Sequence, residues 1–172
     1  KLRWDFATQT AQLFIGGDFT QLVGTARPYI GKYHPYALTY GSLPTGTVNS
    51  LVLSTALDQT GRRYIGGLCT EVGGTAGTGI SQWNGANYGT LGAGVQQGGL
   101  TGATLSVTDI AIAPNQVVYL GWHFGTAGLG SARHIAQWNG VQFAPVGQGI
   151  GTAGNASSAA YSLLVGSSGD IY

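Results

Sequence analysis

Apolar and β-branched residues in this chain come in short runs separated by Gly, Asn, Pro and Thr, as in Leu13-Phe14-Ile15 before Gly16-Gly17 and Leu51-Val52-Leu53 after Val48-Asn49-Ser50. Runs of this length bounded by turn residues predict β-strands joined by tight connections. No window keeps an apolar stripe at i, i+3, i+4 and i+7, and 31 glycines interrupt the chain, so helices are not expected. The fold class predicted is all-β.

The runs recur. "LFIGGDFT" (13–20), "RYIGGLCT" (63–70) and "VYLGWHFG" (118–125) align so that Phe14, Tyr64 and Tyr119 stand 50 and 55 residues apart, with Tyr172 a further 53 along. Sixteen residues beyond each of the first three comes Ile30, Ile80 or Ile135, followed by Tyr33, Trp83 or Trp138. Tyr40-Gly41, Leu91-Gly92 and Val146-Gly147 supply a second mark, and the triplets 51–53, 110–112 and 163–165 precede the next aromatic strand. "SQWNGANYG" (81–89) returns as "AQWNGVQFA" (136–144), which places a strand end at each tryptophan and a return strand at Tyr88 and Phe143. Asn84-Gly85 and Asn139-Gly140 predict a two-residue hairpin with both central residues at positive φ.

Four antiparallel strands repeated about every 50 residues is the pattern of a β-propeller blade. The predicted blades cover about 2–42, 48–94 and 105–149, with the first two strands of a fourth from about 159 to 172. The whole chain, 1–172, is then a single partial propeller of three blades plus the start of a fourth, an open or partial ring. Further blades, or further copies of the chain, are expected to complete it, since known propellers use four to eight. The chain opens on Lys1 without a methionine or a recognisable leader, as a processed chain or a piece of a longer one would. The Gly16-Gly17 and Gly66-Gly67 pairs are read as positions where neighbouring backbones approach closely.

"YIGG" followed by "ISQWNGANY" resembles the Kelch-type repeat, in which a diglycine closes the second strand of the blade and two spaced aromatics mark the third and fourth. "FIGGDFT" with the later "IAQWNG" and "LGAG" is similar to repeats of fungal cortical cell-polarity markers and of bacterial and phage surface proteins. The first unit departs from the pattern with Tyr33-His34-Pro35 in place of Trp-Asn-Gly, and the third with Gly121-Trp122 in place of diglycine. The resemblance implies a non-enzymatic propeller scaffold for protein partners in a surface, extracellular or virion assembly. A cytoplasmic adaptor of the Kelch type is the alternative setting. Galactose oxidase, a copper enzyme of the Kelch class, needs a Tyr–Cys crosslink and two histidines; Cys69 instead occupies the position of Phe19 and Phe124 and reads as core.

Only 8% of residues are charged, against roughly 25% in an ordinary soluble domain, and the net charge is +1. The basic residues are scattered apart from Arg62-Arg63, so no nucleic-acid footprint is formed. No run of 18 apolar residues exists, so no membrane insertion is expected. One cysteine leaves no internal disulfide or cysteine-based metal cage.

Candidate chemistry is sparse. The histidines are His34, His123 and His134, and none stands at ligand spacing from one of the six acidic residues. Neither a nucleophile elbow nor a phosphate loop appears in a strand-to-helix context, so an enzyme and a bound cofactor are not expected. Asn155-Ala156-Ser157 matches a glycosylation acceptor and reads as a polar turn. Trp122 replaces a glycine of the other units and, with His123, Arg133 and His134, forms the candidate binding patch. Trp83 and Trp138, in register, suit either packing between blades or a repeated carbohydrate platform, which gives a lectin-like propeller as the second functional reading.

Overall fold

The computed structural model describes residues 2–5, 12–43, 46–98, 104–151 and 158–172; the Asn155 triplet lies outside them. The described residues contain no helix, and the structure is all-β with antiparallel pairing throughout the sheets.

Three segments of chain fold alike. The first runs through β1 (Leu2–Asp5) and β2 (Gln12–Gly16), a small hairpin of β3 (Gln21–Leu22) and β4 (Thr25–Ala26), then β5 (Ile30–His34) and β6 (Thr39–Gly41). The second has β7 (Val52–Leu57), β8 (Arg63–Gly67), the hairpin β9 (Glu71–Val72) and β10 (Thr75–Ala76), β11 (Ile80–Trp83) and β12 (Tyr88–Thr90). After β13 (Val95–Gln96) the third repeats the order: β14 (Ser106–Ile112), β15 (Val118–His123), β16 (Thr126–Ala127), β17 (Gly130–Ser131), β18 (Ile135–Trp138) and β19 (Phe143–Pro145). Each makes a four-stranded sheet, in the orders β1-β2-β5-β6, β7-β8-β11-β12 and β14-β15-β18-β19, with the small hairpin standing outside it. A last hairpin closes where Leu164 and Tyr172 exchange two backbone hydrogen bonds at 2.9 and 2.8 Å.

Contacts between sheets run through their first strands: β7 packs on β1 and β2, and β14 on β7 and β8. β7 and β14 are buried on both faces, which explains why they read as near-continuous runs of apolar and small residues rather than as an alternation. A glycine sits at each contact. A Cβ on Gly16 would lie 2.5 Å from Val52 Cγ1, one on Gly66 2.8 Å from Val107 Cγ1, and one on Gly121 3.1 Å from Ala160 Cβ. The glycines are 50 and 55 residues apart and their partners 55 and 53, so the same docking is repeated from sheet to sheet. One apolar cluster, with Phe14, Val52, Ile65, Cys69 and Trp83, fills the first junction; a second, with Tyr64, Val107, Ile110, Leu120 and Phe124, fills the next.

Short crossovers tie neighbours together. Val48 bridges to Val72, and β13 pairs with β16, so the chain leaving one sheet adds a strand to the small hairpin of the next. Asn49 reinforces the first crossover: its side-chain oxygen accepts from the amides of Thr70 and Glu71, both at 3.1 Å.

The turns differ from the sequence expectation in one respect. Trp83 pairs with Tyr88 and Trp138 with Phe143, leaving four-residue loops. Within them Gly85 and Gly140 take positive φ (104° and 98°), while each asparagine acts through its side chain, accepting from the amides two and three residues on. Two-residue turns with both residues left-handed occur instead in the small hairpins, at Val23-Gly24 (49°, 71°) and Gly73-Gly74 (62°, 78°). A second difference concerns alignment. Tyr33 pairs with Tyr40, so Tyr40 is the counterpart of Tyr88 and Phe143 rather than of Leu91. β5 continues to His34, which pairs with Thr39, and that added pair moves the turn outward.

Candidate functional site

Of the patch expected at Trp122, His123, Arg133 and His134, the structure brings the two histidine rings together. β15 delivers His123 opposite Ser106, and the turn before β18 delivers His134. Their rings stack with centroids 5.4 Å apart and planes inclined by 22°. His134 is 1% exposed. Partial burial, then the neighbouring His134, lower the pKa of His123 below the ordinary histidine value. Arg133 lines an open hollow of about 240 Å³ with Ser131, Pro145, Gly147 and Gln148. The backbone of Trp122 pairs with Val107; its side chain lies outside the described residues. Among the described residues no three His, Cys, Asp or Glu side chains converge as a metal site would require.

A second feature lies between the second and third sheets. Gly92 and Ala93 on one side, and Gly128, Leu129, Trp138, Val141 and Phe143 on the other, enclose an open apolar hollow of about 370 Å³. Leu129, at the tip of the β16–β17 hairpin, is fully exposed, and Val141, in the loop after Trp138, is largely so. Both are lone apolar residues in polar turns, and only the pairing of β18 with β19 and of β16 with β17 sets them beside one hollow. The tryptophans themselves are interior. Trp83 and Trp138 are each 6% exposed and pack against Tyr88 and Phe143 at 5.0 and 4.8 Å between ring centroids. Gly92 covers the outer edge of Trp138, where a Cβ would come within 3.3 Å of Cζ3. Neither indole presents the open face on which a sugar stacks.

Buried and half-buried polar groups also tie the sheets together. Asp109, 5% exposed, sits at a bulge in β14. Oδ1 accepts from Ser54 Oγ (3.3 Å), and Oδ2 accepts from Ser162 Oγ (3.2 Å) and the Leu163 amide (2.9 Å). Ser54, Asp109 and Ser162 occupy one repeat position, 55 and 53 residues apart, so this carboxylate joins three successive units. Arg63 lies over Phe14 of the first sheet (4.8 Å) and Trp83 of its own (5.9 Å), a cation–π bridge across the junction. Burial, then the Arg63 charge, lower the pKa of Lys32 below the ordinary lysine value. Burial also pushes the Cys69 thiol up to about 11, which keeps it an inert core group.

The Tyr88 hydroxyl is buried and finds no hydrogen-bond partner among the described residues. Tyr88→Phe removes a desolvated polar atom while keeping the ring against Trp83. The substitution is expected to be neutral or to stabilise the chain by up to about 1 kcal/mol in urea denaturation. A loss of stability would reveal a partner for the hydroxyl.

Comparisons with protein-family models, curated proteins and solved structures found no match to this chain. Among the described residues, no helix is long and apolar enough to cross a membrane.

Proposed function

We propose that this chain is a segment of a Kelch-like β-propeller that serves as a non-enzymatic scaffold, presenting its outer loops to protein partners in a surface, extracellular or virion assembly. The observation that carries the reading is the repeated docking of Gly16 on Val52, Gly66 on Val107 and Gly121 on Ala160. A step repeated through the first strands generates a fan of sheets about those strands, which is how propeller blades are arranged. In this reading the blades are the segments 2–42, 48–94 and 105–149, with a further one begun at 159, and additional blades complete the ring. The low charge and the apolar tips Leu129, Val141, Tyr36 and Leu38 suit a surface that meets protein.

The carbohydrate-binding reading rests on the same hollow at Trp138, whose lining is uncharged and includes the Gln142 amide. The covered tryptophans favour the scaffold. The double substitution Leu129→Asp and Val141→Asp separates the two. Both side chains are solvent-exposed, so thermal stability is expected to stay unchanged while association with protein partners, read by light scattering of the reconstituted assembly, is lost. Glycan-array binding by the unsubstituted chain that disappears with Trp138→Phe would replace the scaffold with a lectin. A crystal structure in which successive sheets share no common axis would remove the propeller itself.

A further inference from the structure

The third unit carries histidine at two positions where the other units have none. His123 corresponds to Asp18 and Leu68, and His134 to Tyr29 and Gly79. The second position is conformationally demanding in every unit. Tyr29, Gly79 and His134 are all left-handed (φ 65°, 72° and 69°), and their amides donate to the carbonyls of Phe19, Cys69 and Phe124 at 2.7, 3.0 and 2.9 Å. Only Gly79 adopts that conformation without steric cost. In the third unit Arg133 is left-handed as well (φ 42°), so two consecutive non-glycine residues are held there.

What holds them is local. The amides of Ala132 and Arg133 donate to Gly125 O at 2.9 and 3.3 Å, and the Ile150 amide donates to Arg133 O at 2.8 Å. The 149–151 stretch therefore hangs from this turn. Above it the buried ring of His134 stacks on His123. The ionisable groups around the pair are few. Arg133 adjoins His134 in the turn; β15 adds Tyr119, and β14 adds Asp109, already bonded to Ser54, Ser162 and Leu163. The final hairpin segment carries Tyr161, Asp170 and Tyr172, while β13, β16, β17 and β18 carry no ionisable side chain.

We propose that the His123–His134 stack is an acid-sensitive latch: neutral, it seals the strained 132–134 turn onto the Phe124-Gly125 backbone, and protonated, it releases the turn and the 149–151 stretch while the rest of the third sheet stays folded. A positive charge on His123 lies against the buried His134 ring on which it stacks, where little water reaches it. The depressed pKa of His123 has the same direction. The unfolded or opened chain then binds more protons than the closed one, so the latch is fully stable above the ordinary histidine pKa of about 6.5 and weakens as the pH falls below it.

Amide hydrogen exchange by NMR tests this in the full chain carrying His34→Gln, which removes the remaining histidine. After correction for intrinsic rates, protection of the His134 and Ile150 amides is expected to fall severalfold between pH 7 and pH 5, with Leu120 unchanged. With His123→Leu, the residue the second unit has at that place, the fall should vanish. Unchanged protection in the parent chain, or an equal fall in His123→Leu, would overturn the latch. His134→Gly keeps the left-handed backbone that Gly79 already supports, and it should raise the titration midpoint of His123 toward the ordinary value. A His123 midpoint that does not move would show that the rings are not coupled.

Discussion

Gly66→Val is expected to lower the stability of the chain by about 2–4 kcal/mol, whereas Gly89→Ala in the same sheet should change it by no more than about 0.5 kcal/mol. Both glycines lie in strands of the second sheet, and neither needs a left-handed backbone. They differ in what lies beyond them. A Cβ on Gly66 would stand 2.8 Å from Val107 Cγ1 and 3.0 Å from Ile110 Cδ1, two fully buried side chains of the third sheet. A Cβ on Gly89 would meet nothing within 4 Å. The added methyls of valine must push β14 away from β8, which opens the second core cluster. Chemical denaturation measures the difference directly, and equal midpoints for the two variants would refute the sheet-to-sheet contact.

Asp109→Ala is expected to cost about 1–3 kcal/mol, because it takes the acceptor from the buried Ser54 hydroxyl and the half-buried Leu163 amide and unties the exposed Ser162 hydroxyl. The Ile110 amide donates to both Asp109 Oδ1 (2.9 Å) and Ser54 Oγ (3.0 Å), so it keeps one acceptor when the carboxylate is removed. The loss should be felt first in the final hairpin, whose attachment at Ser162 and Leu163 runs through this carboxylate. Limited proteolysis is therefore expected to cleave within 158–172 at denaturant concentrations where the parent chain is resistant. Asp109→Ser, which installs the residue found at this position in the second and fourth units, should lose less, because a hydroxyl still accepts from one neighbour. A melt in which Asp109→Ala matches the parent would show that the carboxylate does not bind the units together.

Much of the local structure could be read from residue order. The tryptophan-to-aromatic spacing placed a strand end at Trp83 and Trp138 and a return strand at Tyr88 and Phe143, where the structure has them. The Asn-Gly pairs marked the turn but not its length, because the asparagine satisfies two amides with its side chain and so favours a longer loop than the two-residue rule describes. The pairing of Tyr33 with Tyr40 was hidden by a glycine that follows both Tyr40 and Leu91, a coincidence that only hydrogen-bond register resolves.

The candidate sites were less legible. His123 and His134 stand eleven residues apart on opposite sides of a small hairpin, and nothing in their order announces that the rings stack. Leu129 and Val141 look like incidental turn residues until two loops meet. Asp109, inside an apolar run, resembles a solvent-facing strand residue; its burial follows from packing on both faces of β14.

Residue order alone determined that the chain makes short antiparallel strands in a unit repeated about every 50 residues, since alternation, turn chemistry and aromatic spacing act over a few neighbours. The tertiary structure decided which groups became contacts: glycine against valine from sheet to sheet, one carboxylate shared among three units, two histidines in a stack. Those choices depend on groups far apart in the chain meeting in a dry interior, where a missing Cβ or an unshared proton changes the energy by more than any local preference does.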